Sequence, residues 1–393
     1  MAGLSPGALL AILAFGNFVV GMGAFVIIGI VTPMAEGLGV PPASAGLVLT
    51  SYALAYAILS PIAAAITGSL PRRIVLAAGL GLFCLGSVIS ALSPDLAALC
   101  AARVVVALGG AMFTPIAAGV AVALSTPERR GKALATVFGG LTLAQVVGTP
   151  FGAWIAYRLG WQAAFWAVAL LAALAALVMI FAVPRRVSFQ PTGIGAILGV
   201  LRNGRVMFAT AFTATFVGAL YMVFMFLGPL IEASVGLDPE IRTGFLVLYG
   251  CGAVIGNVVG GVLTDRIGGR DTLKIICAAN ILLMPLFSII PLGWVPFAAL
   301  IAIWSSFSWS FMAPQQARLV QVAPDSISLV LALNAAMLYV GITIGSAVSA
   351  RVLESFGLAS LGIAGALAVI LAFAHLLASA RPRSVAGRQS QSG

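Results

Sequence analysis

Long apolar segments alternate with short polar ones along the whole of this 393-residue chain. About 20 apolar residues cross the ~30 Å hydrocarbon core of a bilayer, and a helix satisfies its own backbone hydrogen bonds there. Twelve segments meet that requirement. Their approximate bounds are 9–31, 44–66, 74–93, 97–124, 133–156, 162–184, 207–231, 243–264, 273–293, 295–317, 329–350 and 357–379. The pattern predicts an all-α membrane protein with twelve transmembrane helices.

Basic residues fall almost entirely into alternate gaps between these segments. One set of gaps holds sixteen of them: Arg72, Arg73, Arg129, Arg130, Lys132, Arg185, Arg186, Arg202, Arg205, Arg266, Arg270, Lys274, Arg318, Arg381, Arg383 and Arg388. The other set holds only Arg158, Arg242 and Arg351. Because short loops rich in Lys and Arg stay in the cytoplasm, we expect both termini to be cytoplasmic. The protein is predicted to be a multi-pass protein of the bacterial cytoplasmic (inner) membrane.

Composition agrees with this and excludes several kinds of chemistry. The chain is 62% hydrophobic and 8% charged. Its net charge of +10 is spread over helix ends, so we expect no binding to nucleic acid. The four cysteines have no paired spacing and there is one histidine, which gives no indication of a disulfide framework, a metal site or a cofactor. Nothing mid-membrane supplies the acid–base or metal group that an enzyme would need.

The two halves of the chain repeat one another. Three pairs of short segments match at nearly the same offset, each at an equivalent helix end: 32–36 with 228–232, 68–73 with 261–266, and 127–128 with 324–325. We therefore predict two pseudo-symmetric six-helix bundles, 1–184 and 206–380. A cytoplasmic linker, 185–205, joins them, and a disordered cytoplasmic tail, 381–393, follows. Transporters built from such repeats bind their substrate where the repeats meet.

Five motifs resemble those of the major facilitator superfamily. The run Gly260-Gly-Val-Leu-Thr-Asp-Arg-Ile-Gly-Gly-Arg270 resembles its signature loop between the second and third helices of a half. The other four are 99–109 around Arg103, 148–152, 160–165 and 333–345, which resemble motifs of the fourth, fifth, sixth and eleventh helices. The resemblance covers residues 10–380. It points to the twelve-helix drug:proton antiporter branch, which includes arabinose/sugar-efflux, purine-efflux and chloramphenicol-efflux permeases.

This resemblance implies a secondary active transporter of small organic molecules that works by alternating access. It implies an efflux permease that exchanges a drug, sugar or nucleoside-like solute for protons, is not an enzyme, and works as a monomer among membrane lipids. Three residues depart from the pattern: Arg72 replaces the aspartate of the first signature loop, Gln162 an arginine, and Ala24 an acid of the first helix. Because of Ala24, either a peripheral carboxylate such as Glu36 or Asp265 carries the proton, or the protein is an uncoupled facilitator or uptake permease. A non-transporting receptor is a more distant alternative.

Arg103 is the charged residue that lies inside an apolar segment. Such a charge costs roughly 2.5–3.5 kcal/mol on insertion scales, so it should face protein or a water-filled cavity. All ten acidic residues lie in loops or near helix ends. We therefore expect Arg103 to contact carbonyls, hydroxyls, amides or substrate. The structural alternative is that it only bonds the carbonyls of neighbouring helices.

Two groups of candidate functional residues follow. Uncharged polar and aromatic side chains suit a neutral or amphiphilic solute, although interhelical hydrogen bonds worth about 0.6 kcal/mol each are the alternative role. The substrate-binding candidates are Asn17, Tyr52, Arg103, Gln145, Tyr221, Trp309, Asn334 and Tyr339. The gating candidates are Arg72, Arg73, Gly261, Asp265, Arg266, Arg270, Gly148, Pro150 and Gly152. Glycines permit close helix approach, proline kinks a helix, and Asp265 can accept from helix N-terminal amides.

Overall fold

The computed structural model describes residues 5–67, 70–126, 130–184, 199, 201–236 and 238–379. Within these residues, twelve helices are long and apolar enough to cross a membrane. They are α1 (Pro6–Leu38), α2 (Pro42–Ala63), α3 (Arg72–Ala91), α4 (Leu96–Ala123), α5 (Lys132–Leu159), α6 (Trp161–Ala182), α7 (Gly204–Val235), α8 (Glu240–Ile267), α9 (Gly269–Ser288), α10 (Trp294–Val322), α11 (Leu329–Phe356) and α12 (Ser360–Ala378). The predicted all-α membrane fold with twelve transmembrane helices is confirmed.

Several helices run further than the apolar segments that predicted them. α1 continues to Leu38 and α10 to Val322, well past residues 31 and 317. Hydropathy marks where a chain leaves the hydrocarbon core, whereas backbone hydrogen bonding continues into the polar region beyond it. Arg318 was therefore wrongly assigned to a loop: it lies in α10 and is fully buried.

The twelve helices form two sets, which we call the N half (α1–α6) and the C half (α7–α12). An even number of crossings puts the start of α1 and the end of α12 on one side, the terminal face; the opposite side is the far face. The predicted linker (185–205) and tail (381–393) lie largely outside the described residues, although Gly204 already begins α7. The predicted domain boundaries stay a prediction.

The two halves are closed together toward the far face. Every residue of α1 from Val19 to Val31 is buried, and so is every residue of α7 from Phe216 to Phe224. A helix is buried around its whole circumference only where neighbours enclose it on all sides. Nearer the terminal face, both helices leave part of their surface uncovered. The halves are thus sealed on one side of the protein and open out toward the other.

Several helices are interrupted, and three of the interruptions lie in α5, α7 and α10. In α5, one π-helical turn, Ala144–Gly148, precedes a fresh helical start at Thr149. α7 breaks between Phe224 and Leu227, and α10 breaks between Trp309 and Met312. π-Helical turns and unwound residues mark positions where a helix can bend.

Candidate functional site: the interface between the halves

Three tyrosines from both halves meet at the interface of α2 and α11. The ring of Tyr56 stacks on that of Tyr339 with centroids 3.8 Å apart, and the ring of Tyr52 lies 6.3 Å from Tyr339. Two of the predicted substrate-binding residues, Tyr52 and Tyr339, are therefore brought together. Nearby, Thr50 and Ser346 share a 2.8 Å hydrogen bond between the same two helices. Aromatic stacking and hydroxyl contacts join the halves here.

A second group of rings lines a narrow cavity in the C half. Two more predicted residues, Tyr221 of α7 and Trp309 of α10, lie on its wall. Trp309 donates its indole N–H to the hydroxyl of Tyr249. The complete lining is Val217, Leu220, Tyr221, Phe224, Tyr249, Trp304, Ser308, Trp309, Phe311 and Leu338. Six of these side chains are aromatic, Ser308 is the small polar residue, and none of them is charged.

Several buried polar atoms around this interface have no hydrogen-bond partner among the described residues. They include the hydroxyls of Tyr52 and Tyr221, the indole N–H of Trp304 and the side-chain oxygen of Gln145. A buried polar group without a partner costs roughly 1–3 kcal/mol. Such groups are therefore expected to find a ligand or water in the working protein.

Arg103 is fully buried, with neutral groups around it. Its Nη2 donates to the carbonyl of Gly23 in α1 at 2.8 Å, and its guanidinium lies 4.7 Å from the ring centroid of Tyr52. Phe165 of α6 contributes a second ring at 5.9 Å. Its Nε and Nη1 have no described partner. A carbonyl contact is present as expected, and two guanidinium nitrogens keep donor capacity.

Asn17 of α1 and Asn334 of α11 each join helices of their own half. Asn17 donates to the carbonyl of Val137 in α5 at 3.0 Å and accepts from Thr114 of α4 at 2.8 Å. Asn334 of α11 accepts from Thr213 of α7, whose hydroxyl also accepts from Gln315 of α10 at 3.1 Å. In this conformation both amides make interhelical contacts. The helix face of α1 that carries Asn17 and Gly21 packs against α5.

The predicted bending point in α5 coincides with the π-helical turn. Pro150 follows that turn, separated from it by Thr149. A Cβ atom on Gly148 would lie 3.0 Å from Met22, and one on Gly152 would lie 2.3 Å from Val26. Glycine therefore lets α5 approach α1 on both sides of the proline. Gln145, the remaining substrate-binding candidate, lies inside the turn and is buried.

The same turn touches the other half of the protein through Gly250 of α8. A Cβ atom at Gly250 would lie 2.4 Å from the Cα of Val146 and 2.9 Å from the carbonyl oxygen of Gln145. The backbones of α5 and α8 therefore meet at this turn. Movement of one half against the other would therefore shift α8 against the interrupted part of α5.

A polar node, which the sequence analysis did not single out, joins the halves at the far face. Glu232 of α7 accepts hydrogen bonds from Thr32 of α1, Tyr157 of α5 and Arg242 of α8. Beside it, Arg158 pairs with Glu240. Two signals could have found it: Glu232 lies in the repeated segment at 228–232, and Arg158 and Arg242 are among the three basic residues on the sparsely charged side.

The gating candidates near the terminal face differ in their exposure and in their hydrogen bonds. Asp265 and Arg266 are exposed, and the carboxylate of Asp265 makes no hydrogen bond or ion pair with any described residue. Arg270 donates to the carbonyl of Leu377 in α12 at 3.0 Å, and Arg72 donates to the carbonyl of Thr67 at 3.1 Å. Arg73 is half-buried beside Arg72.

Gly261 differs from its neighbour Gly260. A Cβ atom on Gly261 would meet nothing within 4 Å, whereas one on Gly260 would lie 2.2 Å from the carbonyl oxygen of Ser310 in α10. The close helix approach that the glycine pair predicts is thus made by Gly260.

Comparison with known proteins gives the family. The family model described as Major Facilitator Superfamily matches residues 13–327, most of the chain. The chain belongs to the Major Facilitator Superfamily. The resemblance inferred from its motifs is therefore confirmed, and so is the expectation that it is not an enzyme, because this is a family of transporters.

Relatives of this superfamily member come from several bacteria. It is 29% identical to the inner membrane transport protein YdhP of Escherichia coli (strain K12), covering 94% of this chain and 95% of YdhP. It is 29% identical to the uncharacterized MFS-type transporter YbcL of Bacillus subtilis, covering 92% and 93%. It is 33% identical to a chloramphenicol resistance protein of Streptomyces lividans over 65% of this chain and 67% of that protein.

Solved structures of two transporters share the fold. A bacterial homologue of the human lysosomal transporter Spinster, in an inward-facing and occupied conformation, matches with a TM-score of 0.77 at 16% identity over 97% of this chain and 98% of its own. A variant of the nucleoside transporter NupG matches with a TM-score of 0.77 at 15% identity over 96% and 100%. At such identities the likeness establishes the fold of this superfamily member.

Proposed function

We propose that this protein is a secondary active transporter that exports small organic molecules by alternating access. The observation that carries the proposal is the asymmetry of its interface: the halves are joined at the far face and open out toward the terminal face, with unpartnered polar groups and aromatic rings between them. A solute bound there reaches one side of the membrane at a time. The positive-inside pattern assigns the terminal face to the cytoplasm, so this conformation is inward-open.

The open terminal face explains why Asp265 of the signature loop is exposed. Asp265 is exposed and has no described partner in this conformation. When the cytoplasmic side closes, we expect its carboxylate to accept from amides at a helix N-terminus, which favour an anion. Gly148, Pro150 and Gly152 provide the bend in α5 that accompanies the change. The gating residues would thus act in the conformation opposite to this one.

In this conformation the ring-lined cavity measures about 10 Å³, room for about one water, so a solute would enter only as the side chains move apart. Its lining favours an uncharged aromatic solute with hydrogen-bond acceptors. Its rings can stack on a flat ring, and the lining carries no charge that would compensate a bound ion. The unpartnered hydroxyl of Tyr221 and N–H of Trp304 can donate to carbonyl or nitro oxygens. Arg103 in the other half disfavours cations. The similarity to a chloramphenicol resistance protein supports the same kind of solute.

Transport of labelled chloramphenicol tests this directly. In proteoliposomes, wild-type protein is expected to move the drug, and Tyr221→Phe is expected to raise KM several-fold by removing one donor without removing the ring. Cys251→Ala, an exposed position on α8, is the matched control and should behave as wild type. Movement no faster than in empty liposomes, across neutral aromatic drugs in general, would refute the proposal.

Exchange for protons is proposed on the family resemblance, and two observations favour an uncoupled facilitator instead. Ala24 is buried where the related efflux proteins often carry an acid, and the cavity lining contains no carboxylate. The rate of drug movement with and without an imposed pH gradient decides between the two. Acceleration by a gradient supports exchange, and equal rates refute coupling.

A further inference from the structure

The hydroxyl of Thr32 is used differently from those of several other threonines in the membrane helices. Thr136, Thr210 and Thr343 each donate to the carbonyl oxygen four residues earlier in their own helix. Thr32 of α1 donates instead to the carboxylate of Glu232 in α7, at 2.9 Å. A hydroxyl bonded to its own helix joins no other element, whereas this bond joins the N half to the C half.

A second hydroxyl of the N half reaches the same carboxylate. Tyr157 of α5 donates to Oε1 of Glu232 at 2.7 Å, while Thr32 donates to Oε2. The side chain of Glu232 is only 10% exposed, so little water competes with these donors. Hydrogen bonds to an ionised acceptor are roughly twice as strong as those between neutral groups. Two shielded hydrogen bonds to one carboxylate therefore hold α1 and α5 against α7.

The backbone of α7 explains how Glu232 comes to lie beside Thr32. A Cβ atom on Gly228, one turn before Glu232, would lie 3.1 Å from the carbonyl oxygen of Ile28, one turn before Thr32. The two backbones therefore run close together here. Because α1 and α7 both run from the terminal face to the far face, the side chains one turn further on also lie opposite each other.

The ion pair of Glu232 lies within its own half. Arg242 of α8 pairs with the carboxylate of Glu232, and its guanidinium lies 3.8 Å from the ring centroid of Tyr157. Because Glu232 and Arg242 both belong to the C half, this ion pair can stay together when the halves separate. The contacts that separation breaks include the two hydroxyl bonds and the contact of Arg242 with the ring.

A neighbouring ion pair offers a comparison within the same molecule. Arg158 of the N half pairs with Glu240 of the C half, and their side chains are 54% and 56% exposed. Exposed ion pairs contribute little to stability, because water screens the charges. The far face thus has one buried contact between the halves, made by hydroxyls, and one exposed contact, made by opposite charges.

We propose that the carboxylate of Glu232 and the hydroxyls of Thr32 and Tyr157 form the latch that keeps the far face closed. Opening of the far face breaks both hydroxyl bonds, and each group then reaches water. Glu232 keeps its ion pair with Arg242, which holds the carboxylate where the hydroxyls meet it again on closure. Loss of either hydroxyl therefore favours the outward-open state without any change in charge. This inference rests on the alternating-access cycle proposed above.

Distances across the far face test the latch without a substrate. Spin labels at Leu92 (end of α3) and Ala359 (before α12) report its opening in nanodiscs, in a background with the native cysteines replaced. Thr32→Val keeps the shape of the side chain and removes the hydroxyl, and Tyr157→Phe keeps the ring that faces Arg242. Each substitution should raise the ratio of open to closed molecules roughly tenfold, which corresponds to about 1.4 kcal/mol.

Two control variants make the test decisive. Thr32→Ser retains the hydroxyl and should stay within about twofold of the background protein. Glu240→Gln removes a charge from the exposed pair and should do the same. A rise in Glu240→Gln equal to that in Thr32→Val would overturn the inference.

The latch and the transport cycle can fail separately in this experiment. If Thr32→Val and Tyr157→Phe keep the background ratio while the background protein opens on addition of chloramphenicol, the latch is wrong and alternating access stands. If neither the variants nor the drug ever open the far face, the latch and alternating access are both wrong.

Discussion

The two halves each bury an arginine that has no carboxylate beside it among the described residues, but they satisfy it differently. In the C half, Arg318 donates Nη1 to Gln315 at 3.1 Å and to the carbonyl of Ala209 at 3.5 Å, and Nη2 to the hydroxyl of Ser379. Its guanidinium lies 5.7 Å from the ring centroid of Phe212. Nε is its one nitrogen without a described partner.

In the N half, Arg103 makes one hydrogen bond, to Gly23, and leaves Nε and Nη1 without described partners. Both arginines would cost a similar amount to bury, since neither has a carboxylate beside it among the described residues. The difference therefore lies in how many donors of each guanidinium are hydrogen-bonded within its own half. Arg318 serves the packing of α7, α10 and the end of α12, whereas Arg103 keeps donor capacity beside Tyr52 at the interface.

The sharpest way to break this comparison is Arg103→Ala. We expect the variant to insert and fold normally but to lose transport by about 100-fold, or roughly 2.7 kcal/mol, because the lost donors serve substrate or the moving interface. Initial rates in proteoliposomes measure the loss, with the melting temperature in detergent as the check on folding. Full transport in this variant would mean that Arg103 only bonds the carbonyl of Gly23.

Arg318→Ala should lower the stability of the protein and leave transport nearly unchanged. Removing it leaves the side-chain oxygens of Gln315 and Ser379 without this donor, whereas the carbonyl of Ala209 still accepts from Gln315. We therefore expect the free energy of unfolding to fall by about 2 kcal/mol. Transport per folded molecule should stay near the wild-type value. Thermal unfolding of the purified protein measures the first quantity, and Arg351→Ala, at an exposed end of α11, is the matched control. Normal stability with lost transport would contradict the distinction between the two arginines.

The sequence predicts the fold better than it predicts the different roles of Arg103 and Arg318. The apolar segments identify all twelve helices because the bilayer imposes one length on each. Arg318 was missed because hydropathy ends a segment where polarity begins, while the helix continues and buries its polar face. Asn17, Gln145 and the tyrosines were predicted as polar residues within helices. Which of them meet a neighbouring helix and which meet the cavity depends on helix rotation, and no spacing in one sequence determines that.

The adjacent glycines of α8 sharpen the comparison at closer range. Gly260→Ala would bring a Cβ atom within 2.2 Å of a backbone oxygen of α10, whereas Gly261→Ala would meet open space. Overpacking costs roughly 1–3 kcal/mol, and the gain of about 1 kcal/mol in helix propensity offsets part of it. We therefore expect Gly260→Ala to destabilise the protein by about 1.5 kcal/mol.

Gly261→Ala, with no overpacking to oppose the propensity gain, should leave unfolding stability unchanged or slightly raised. Denaturation of the two variants side by side in the same detergent measures the difference. Because Gly261 is a predicted gating residue, its transport rate is worth measuring with its stability. Equal destabilisation by both substitutions would show that the approach of α8 to α10 does not depend on Gly260.

The smallest expected effect compares the two threonines that donate hydrogen bonds to Asn17 and Asn334. Thr114 donates one hydrogen bond to Asn17, whereas Thr213 donates to Asn334 and accepts from Gln315. Interhelical hydrogen bonds in membranes average about 0.6 kcal/mol each. Replacing each threonine by valine keeps the shape, so Thr114→Val should cost about 0.6 kcal/mol and Thr213→Val about twice that. Unfolding of both single variants and of the double variant tests this, since sites in separate halves should add. A larger cost at Thr114 would mean that the N half depends on its polar contacts more heavily than the described bonds indicate.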